Sequence, residues 1–348
     1  MLRDSSSATR RPHALSLACA LLAATLACGS AAAETPVKFS LDFKIEGTSA
    51  PFLLALDKGY YKAEGLNVAV EPSTGSDEAI GRVATGGYDV GLADINAMIK
   101  YRDANPDAPV IAVFILYNRP PYAVIGRKSR GINTPKDLEG KRLGAPADDS
   151  AFAQWPIFVK ANGIDASKVT IENVSFPVRE PMLAAGQIDA VTGRSFATYI
   201  ELKDKGVPVN DITVLLMSDY GVELYGSAIV ANTKFATANP EVVKGFLRAF
   251  LKGLKETVKS PAAAIETVLK RDNTARKELE LERLKMAIAQ NIVTPEVKAD
   301  GYGGITSARF ERALGQLALT YKFKASKPKV GDYFDASFLP PPAERKIN

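Results

Sequence analysis

Residues suited to holding a polar small molecule occur at four short stretches: Thr48-Ser49, Ser73-Thr74-Gly75-Ser76, Asp94-Ile95-Asn96 and Asp148-Asp149-Ser150. Each lies where an apolar run gives way to an amphipathic one, at the predicted start of a helix. Hydroxyls, carboxylates and the free amides of a helix start bind polar or anionic groups. Each such residue could instead cap its own helix, worth roughly 1 kcal/mol; their shared placement favours binding for the set. Arg179 and Arg194 follow predicted strands and offer a bidentate grip on a carboxylate or sulfonate, with Arg194 preferred. Arg119 reads instead as a salt-bridge residue. Asp94, Asp149 and Glu223 pull the other way, toward an amine or a pyrimidine nitrogen, so solute charge stays open. The hydroxyl-rich helix starts beside Arg194 or Arg179 tip the expectation toward a carboxylate or sulfonate. Tyr117, Trp155, Tyr220 and Tyr225 are candidates to stack on a flat ligand, Tyr117 and Tyr225 before the others.

The inventory also excludes chemistry. Arg3, Arg10 and Arg11 precede an apolar run from Ala14 to Ala27, and small residues follow to Ala31-Ala32-Ala33. This pattern predicts a secretory signal cleaved after Ala33, since the run is shorter than the roughly 20 residues of a membrane span. A lipid anchor at Cys28 is the minor alternative, and Arg10-Arg11 leaves the export route open. Both cysteines, Cys19 and Cys28, and the only histidine, His13, fall within this segment. The rest therefore holds no cysteine nucleophile, disulfide, Cys/His zinc site, Ser-His-Asp triad or histidine shuttle. No cofactor is expected. Without the segment's three arginines and one aspartate the net charge falls from +5 to +3. That mild excess, with no concentrated basic run, argues against a nucleic-acid partner.

Positioning the polar stretches requires a particular architecture. Without its first 33 residues the 348-residue chain keeps 315, more than one hydrophobic core usually serves. Short apolar strands alternate with amphipathic helices, the pattern of parallel sheets covered by helices. Predicted strands of a first series are Val37–Phe43, Asn67–Glu71, Val90–Ala93 and Val110–Tyr117, with a first helix over Pro51–Tyr61. Asn118-Arg119-Pro120-Pro121 interrupts, and a second series follows at Ala123–Gly126, Arg142–Ala145, Val169–Val174, Ala190–Thr192 and Val214–Met217. Tyr220 to Ala231 carries the chain back, and the stretch from Pro240 to about Leu319 is mostly helical. The expected division is residues 34–118 plus 225–348 as one lobe and 119–224 as the other. A ligand cleft lies between them, beyond the carboxyl ends of the strands. Hinges are expected at Tyr117–Tyr122 and Asp219–Gly226.

Four segments, in order, carry a family likeness: Ala50 to Val68 (APFLLALDKGYYKAEGLNV), Ala84 to Gly91 (ATGGYDVG), Ile132 to Gly144 (INTPKDLEGKRLG) and Met182 to Ala190 (MLAAGQIDA). Together they resemble the nitrate/sulfonate/taurine/pyrimidine-precursor group of ABC-transporter periplasmic solute-binding proteins. The resemblance implies a type II periplasmic-binding-protein fold, α/β, each lobe a mostly parallel sheet flanked by helices. It also implies a periplasmic monomer without catalytic activity, a small-molecule ligand and a permease partner in the inner membrane. Related pyrimidine-precursor synthases share the fold and use an active-site histidine, a lysine-bound pyridoxal phosphate and a cysteine-rich iron motif. The chain beyond Ala33 lacks both residue types. A sensor that docks on a signalling receptor is the remaining alternative.

Overall fold

The computed structural model describes residues 33–324 and 328–347. The predicted signal segment, Cys28 included, lies outside them apart from Ala33. The chain first forms β1 (Thr35–Ser40), α1 (Ala50–Asp57), α2 (Tyr60–Ala63), β2 (Leu66–Glu71), α3 (Ser76–Ala84), β3 (Val90–Asp94), α4 (Ile95–Ala104) and β4 (Val110–Ile115). It continues through β5 (Tyr122–Arg127), β6 (Arg142–Ala145), α5 (Trp155–Asn162), β7 (Thr170–Asn173), α6 (Phe176–Ala184), β8 (Ala190–Arg194), α7 (Ser195–Asp204) and β9 (Ile212–Leu216). It ends with β10 (Ser227–Asn232), α8 (Thr233–Ala238), α9 (Pro240–Lys259), α10 (Pro261–Leu269), α11 (Lys277–Ala287), α12 (Pro295–Asp300), α13 (Ser307–Leu317) and α14 (Pro342–Arg345). The single helix expected over Pro51–Tyr61 is two, because Gly59 takes a left-handed φ of 70° between them.

Two five-stranded sheets result, ordered β2-β1-β3-β10-β4 and β7-β6-β8-β5-β9. The orders correspond position by position. β1 runs parallel to β2 and β3, and β6 runs parallel to β7 and β8. β10 is antiparallel to β3 and β4, as β5 is to β8 and β9. Each sheet is thus mostly parallel with one reversed strand, and that strand is the one next to a crossing between sheets. Central strands β3 and β10 are buried throughout, whereas edge strand β7 is mostly exposed, as expected where helices cover both faces of a sheet.

The core of the first sheet is aromatic. Phe52 of α1 stacks between Phe39 of β1 (4.6 Å) and Phe250 of α9 (4.4 Å), and Phe114 of β4 meets Phe250 edge-on at 5.4 Å. α9 repeats its apolar residues at helical spacing, burying Val243, Phe246, Leu247, Phe250 and Leu254. The C-terminal segment then protects the β4 edge, with Ala112 and Ile115 donating to the carbonyls of Tyr333 and Gly303.

Gly253 of α9 shows how closely α9 and α1 approach. A Cβ there would lie 2.5 Å from the Pro51 carbonyl oxygen and 2.8 Å from Ala55 Cβ. Elsewhere in a helix Gly→Ala gains about 1 kcal/mol. Here Gly253→Ala is expected to lose about 1–3 kcal/mol through overpacking, read as a lower urea midpoint. A raised midpoint would show that the two helices part freely.

Candidate ligand cleft

The two sheets meet at the carboxyl ends of their parallel strands. Asp42, just past β1, accepts a hydrogen bond from Arg194 Nη2 at 2.9 Å and one from Ser227 Oγ at 3.1 Å. Arg194 is the last residue of β8, so this ion pair joins the first sheet to the second. The guanidinium also lies 5.7 Å from the Phe43 ring centroid. Burial alone would lower its pKa; Asp42, Tyr117, Glu46 and Asp149 outweigh that and raise it above the ordinary value.

Asp94 closes β3 and starts α4. Its carboxylate accepts from Ala97 N at 2.8 Å and from Asn96 Nδ2 at 3.3 Å, while its own N–H donates to Ser76 Oγ at 3.0 Å. Asn96 Nδ2 also reaches the Tyr225 carbonyl at 2.8 Å and the hydroxyl of Tyr122, at the start of β5, at 3.3 Å. Burial pushes the Asp94 pKa up to about 6, against those two hydrogen bonds and the charges of Lys100 and Arg194.

From the second sheet comes Asp149, which accepts from Thr192 Oγ1 at 2.7 Å and Ala151 N at 3.1 Å and lies 3.7 Å from Arg179 Nη1. Arg179 is held within its own lobe, with Nε and Nη2 donating to Glu180 Oε1 at 2.9 and 2.6 Å. Gly193 makes this possible, because a Cβ there would sit 2.4 Å from Thr198 Oγ1 and 3.3 Å from the Arg179 guanidinium. Across from them, Thr48 Oγ1 donates to Glu46 and Ser49 Oγ accepts from Glu46 N, on the turn before α1. Burial and Asp42 raise the Tyr117 pKa, opposed in part by a hydrogen bond with Thr48. The Tyr117 ring packs 6.0 Å from Phe196 of α7.

The structure therefore gathers Thr48, Asp94, Asn96, Tyr117, Asp149 and Arg194 along one buried polar region. Ser73 stands at its margin, donating to the Leu41 carbonyl one residue before Asp42. Thr74 is exposed and bound to Glu78, and Gly75 leads into α3. Ser150 is half-buried beside Asp149. The Tyr225 hydroxyl turns to the C-terminal segment, donating to Glu296 and accepting from Thr306 N. Trp155 is buried against Phe158, on which Tyr220 also packs. Arg119 pairs with Asp219, and Glu223 with Arg312. Asp42, Glu46 and Ser227 were missed by sequence reasoning. The apolar run Val37–Phe43 reads as strand throughout, yet β1 stops at Ser40, and an aspartate inside that run was the available signal.

A third junction between the sheets lies on a π-helical turn, Ile288–Ile292, where Gln290 Oε1 accepts from Ser195 Oγ at 2.9 Å. Beside it, Lys203 and Asp204 of α7 pair with Glu282 and Arg276. Among the described residues no group of His, Cys, Asp and Glu is arranged to hold a metal ion. The region brings hydrogen-bond acceptors and a paired guanidinium together from both sheets.

Two lobes of this topology, with polar side chains at the facing strand ends, define the periplasmic-binding-protein fold. The chain belongs to the NMT1/THI5-like family, whose sequence profile matches residues 47–264. It is 28% identical to a formylaminopyrimidine-binding protein of Halalkalibacterium halodurans over 287 residues, 81% of this chain and 84% of that protein. It is also 28% identical over 222 residues to the riboflavin-binding protein RibY of Chloroflexus aurantiacus, 63% of this chain and 62%, less than two thirds, of that one. A 4-amino-5-hydroxymethyl-2-methylpyrimidine phosphate synthase of Schizosaccharomyces pombe is 26% identical over 248 residues, 69% of this chain and 70% of the enzyme. Binding proteins and synthases thus both stand among its relatives. In fold it is similar to the periplasmic aliphatic sulphonate binding protein SsuA of Escherichia coli, with a TM-score of 0.66 and 13% identity over 82% of this chain and 87% of that one. The periplasmic nitrate-binding protein NrtA of Synechocystis PCC 6803 gives 0.65 and 12% identity, over 87% of each chain.

Asp94 supplies a pH test. Its folded pKa lies above the value of 3.8 for the free side chain, so the folded state binds the proton more tightly. Its favourable contribution is complete below pH 4 and fades as the pH rises toward 6, a loss of about 3 kcal/mol from this group. Asparagine keeps a capping oxygen without the charge. Asp94→Asn is therefore expected to stabilise the protein by about 1–3 kcal/mol at pH 7.5 and by much less at pH 4.5, in paired urea titrations. An equal effect at both pH values would show that the buried charge carries no penalty.

Proposed function

We propose that this protein is the periplasmic solute-binding component of an ABC importer. Its lobes, residues 34–118 with 225–348 and residues 119–224, close as a monomer on a small organic solute, and the closed form is what the permease recognises. The observation that carries this reading is the Arg194–Asp42 pair, which spans the facing strand ends of the two sheets inside a buried polar region. The folds of SsuA and NrtA and the names of two relatives support it. A synthase activity fits less well. The chain from Thr35 onward holds no histidine or cysteine, the residues that the family resemblance attaches to that chemistry.

The solute class follows from the charges. Arg194 and Arg179 each have a carboxylate within hydrogen-bonding distance, so an incoming carboxylate or sulfonate would have to displace Asp42 or Glu180. Asp149 and Asp94 keep acceptor capacity beyond the bonds they make, since an ionised carboxylate has about four lone-pair sites. That arrangement favours a neutral or basic nitrogen heterocycle presenting several N–H donors over the anion expected from the arginines. Formylaminopyrimidine, after which one relative is named, is of this kind, and riboflavin, after which another is named, is a nitrogen heterocycle with one ring N–H and a chain of hydroxyl donors.

A thermal-shift panel tests both steps, comparing formylaminopyrimidine, related aminopyrimidines and riboflavin with taurine, alkanesulfonates and nitrate. A solute at 100 times its Kd adds about 2.7 kcal/mol of stability, a readable shift. A heterocycle is expected to give it, with a smaller radius of gyration in solution scattering, and Asp149→Asn should weaken it more than about tenfold. Stabilisation by sulfonates alone would overturn the solute class, and saturation without compaction would overturn lobe closure.

A further inference from the structure

The two crossings between the sheets are held from outside by one helix. Phe310, Ala313, Leu314 and Leu317 of α13 are buried in a core that draws on both lobes, and hydrogen bonds at either end tie the segment to the first lobe: Ile115 N donates to the Gly303 carbonyl before the helix, and the Tyr321 hydroxyl donates to Asp103 of α4 after it, both at 2.9 Å. The helix is therefore fastened to the first lobe. Another face carries Arg309, Arg312 and Gln316, spaced to lie in one row.

Arg309 Nη2 donates to the carbonyl of Asn118, on the first crossing, at 2.7 Å and to that of Leu224, on the second, at 2.8 Å. Its Nη1 reaches Asn118 Oδ1 at 3.1 Å and Glu296 Oε2 at 2.5 Å, and the guanidinium lies 4.0 Å from the Tyr225 ring centroid. One side chain thus binds both crossings at once. Arg312 Nε donates to Glu223 Oε2 at 2.5 Å, while Gln316 donates to the Gly221 carbonyl and accepts from Glu223 N, both at 2.8 Å. On the first crossing, Asn291 exchanges two bonds with the Arg119 backbone, at 3.2 and 3.1 Å.

These bonds leave little free chain. Arg119 is tied to the first lobe, whereas the Pro121 carbonyl already accepts from Ser195 N at 2.7 Å in the second. Tyr220 packs on Phe158, and its carbonyl accepts from Asn162 Nδ2 at 3.1 Å, both in the second lobe. Gly221, with a φ of 85°, is the first residue gripped by α13. The breadth expected for the second hinge, Asp219–Gly226, shrinks to one junction.

We propose that Arg309 is a positioning residue for lobe closure: by tying both crossings to the first lobe it confines rotation to the Arg119–Pro120 and Tyr220–Gly221 junctions, without touching solute. This rests on the lobe-closure reading above and is tested with no solute present. Spin labels at Lys62→Cys and Thr170→Cys, both exposed and one on each lobe, report the interlobe distance in a chain whose Cys19 and Cys28 are serine. Arg309→Ala should broaden the distance distribution at least about twofold, and Arg309→Lys less, because one ammonium cannot hold two carbonyls in the fork geometry of a guanidinium. Leu317→Ala, which weakens the same helix in its core, should leave the width unchanged. A wild-type width in folded Arg309→Ala overturns the proposal, as does equal broadening by Leu317→Ala. Should Arg309→Ala fail to fold, Arg309→Lys carries the test, and a wild-type width there overturns it equally.

Discussion

A guanidinium largely withdrawn from water between two sheets needs a counter-charge, and the arrangement of this protein turns on where Arg194 finds its own. Asp42 lies just past β1 of the opposite sheet, 152 positions away in sequence. Desolvating both partners costs much of what their attraction returns, so such a pair contributes little net stability while making the loss of one partner expensive. That balance suits the solute-binding role proposed above. Two lobes bound by a large net energy would not reopen, and lobes with no preferred contact would have no defined closed form. A pair near break-even leaves the differential affinity of the solute to move the equilibrium.

The reversed strand in each sheet explains why the crossings and the polar region are neighbours. β10 and β5 are the strands that follow the crossings, and each lies beside a strand that ends at the polar region, β3 with Asp94 and β8 with Arg194. Ser227 of β10 consequently pairs in register with Asp94, and Tyr122 of β5 with Arg194. The crossings themselves touch. Gly226 donates to the Tyr117 carbonyl at 2.9 Å, and a Cβ on it would lie 2.9 Å from Pro120 Cα. Asn96 binds the Tyr225 carbonyl and the Tyr122 hydroxyl beside the Asp94 carboxylate, so one amide touches both crossings and the polar region.

The strands, their order into two series and the junctions that carry Asp94, Asn96 and Asp149 were legible because they depend on local pattern: apolar runs, turn residues and helix starts. What escaped depends on distant partners. Arg194 and Arg179 were recognisable as cleft-side arginines, but the carboxylates that satisfy them were not. Asp42 was hidden in an apolar run. Glu180 adjoins Arg179 in sequence, and its role becomes visible only when Gly193 is seen to clear the space in which the two meet Thr198. Tyr225 was correctly placed at a crossing, yet its direction is set by Glu296, Thr306 and Arg309, residues on segments that sequence reading assigned only as generic helix.

The same dependence on distant partners decides how the charge of the site should be read. An arginine near a cleft suggests an anionic ligand only if its guanidinium is unsatisfied when the ligand arrives, and here Asp42 and Glu180 already occupy that place. The carboxylates are the groups left with acceptor capacity. Asp94 is the strongest case, because burial holds its proton up to about pH 6, so modest changes in surroundings move it between donor and acceptor. A nitrogen heterocycle of the proposed class, offering both N–H groups and ring nitrogens, can pair with either form, whereas a sulfonate, which only accepts, can pair with the protonated carboxyl alone. On the proposed reading, recognition therefore falls to the carboxylate oxygens that keep lone pairs beyond the bonds the fold already gives them.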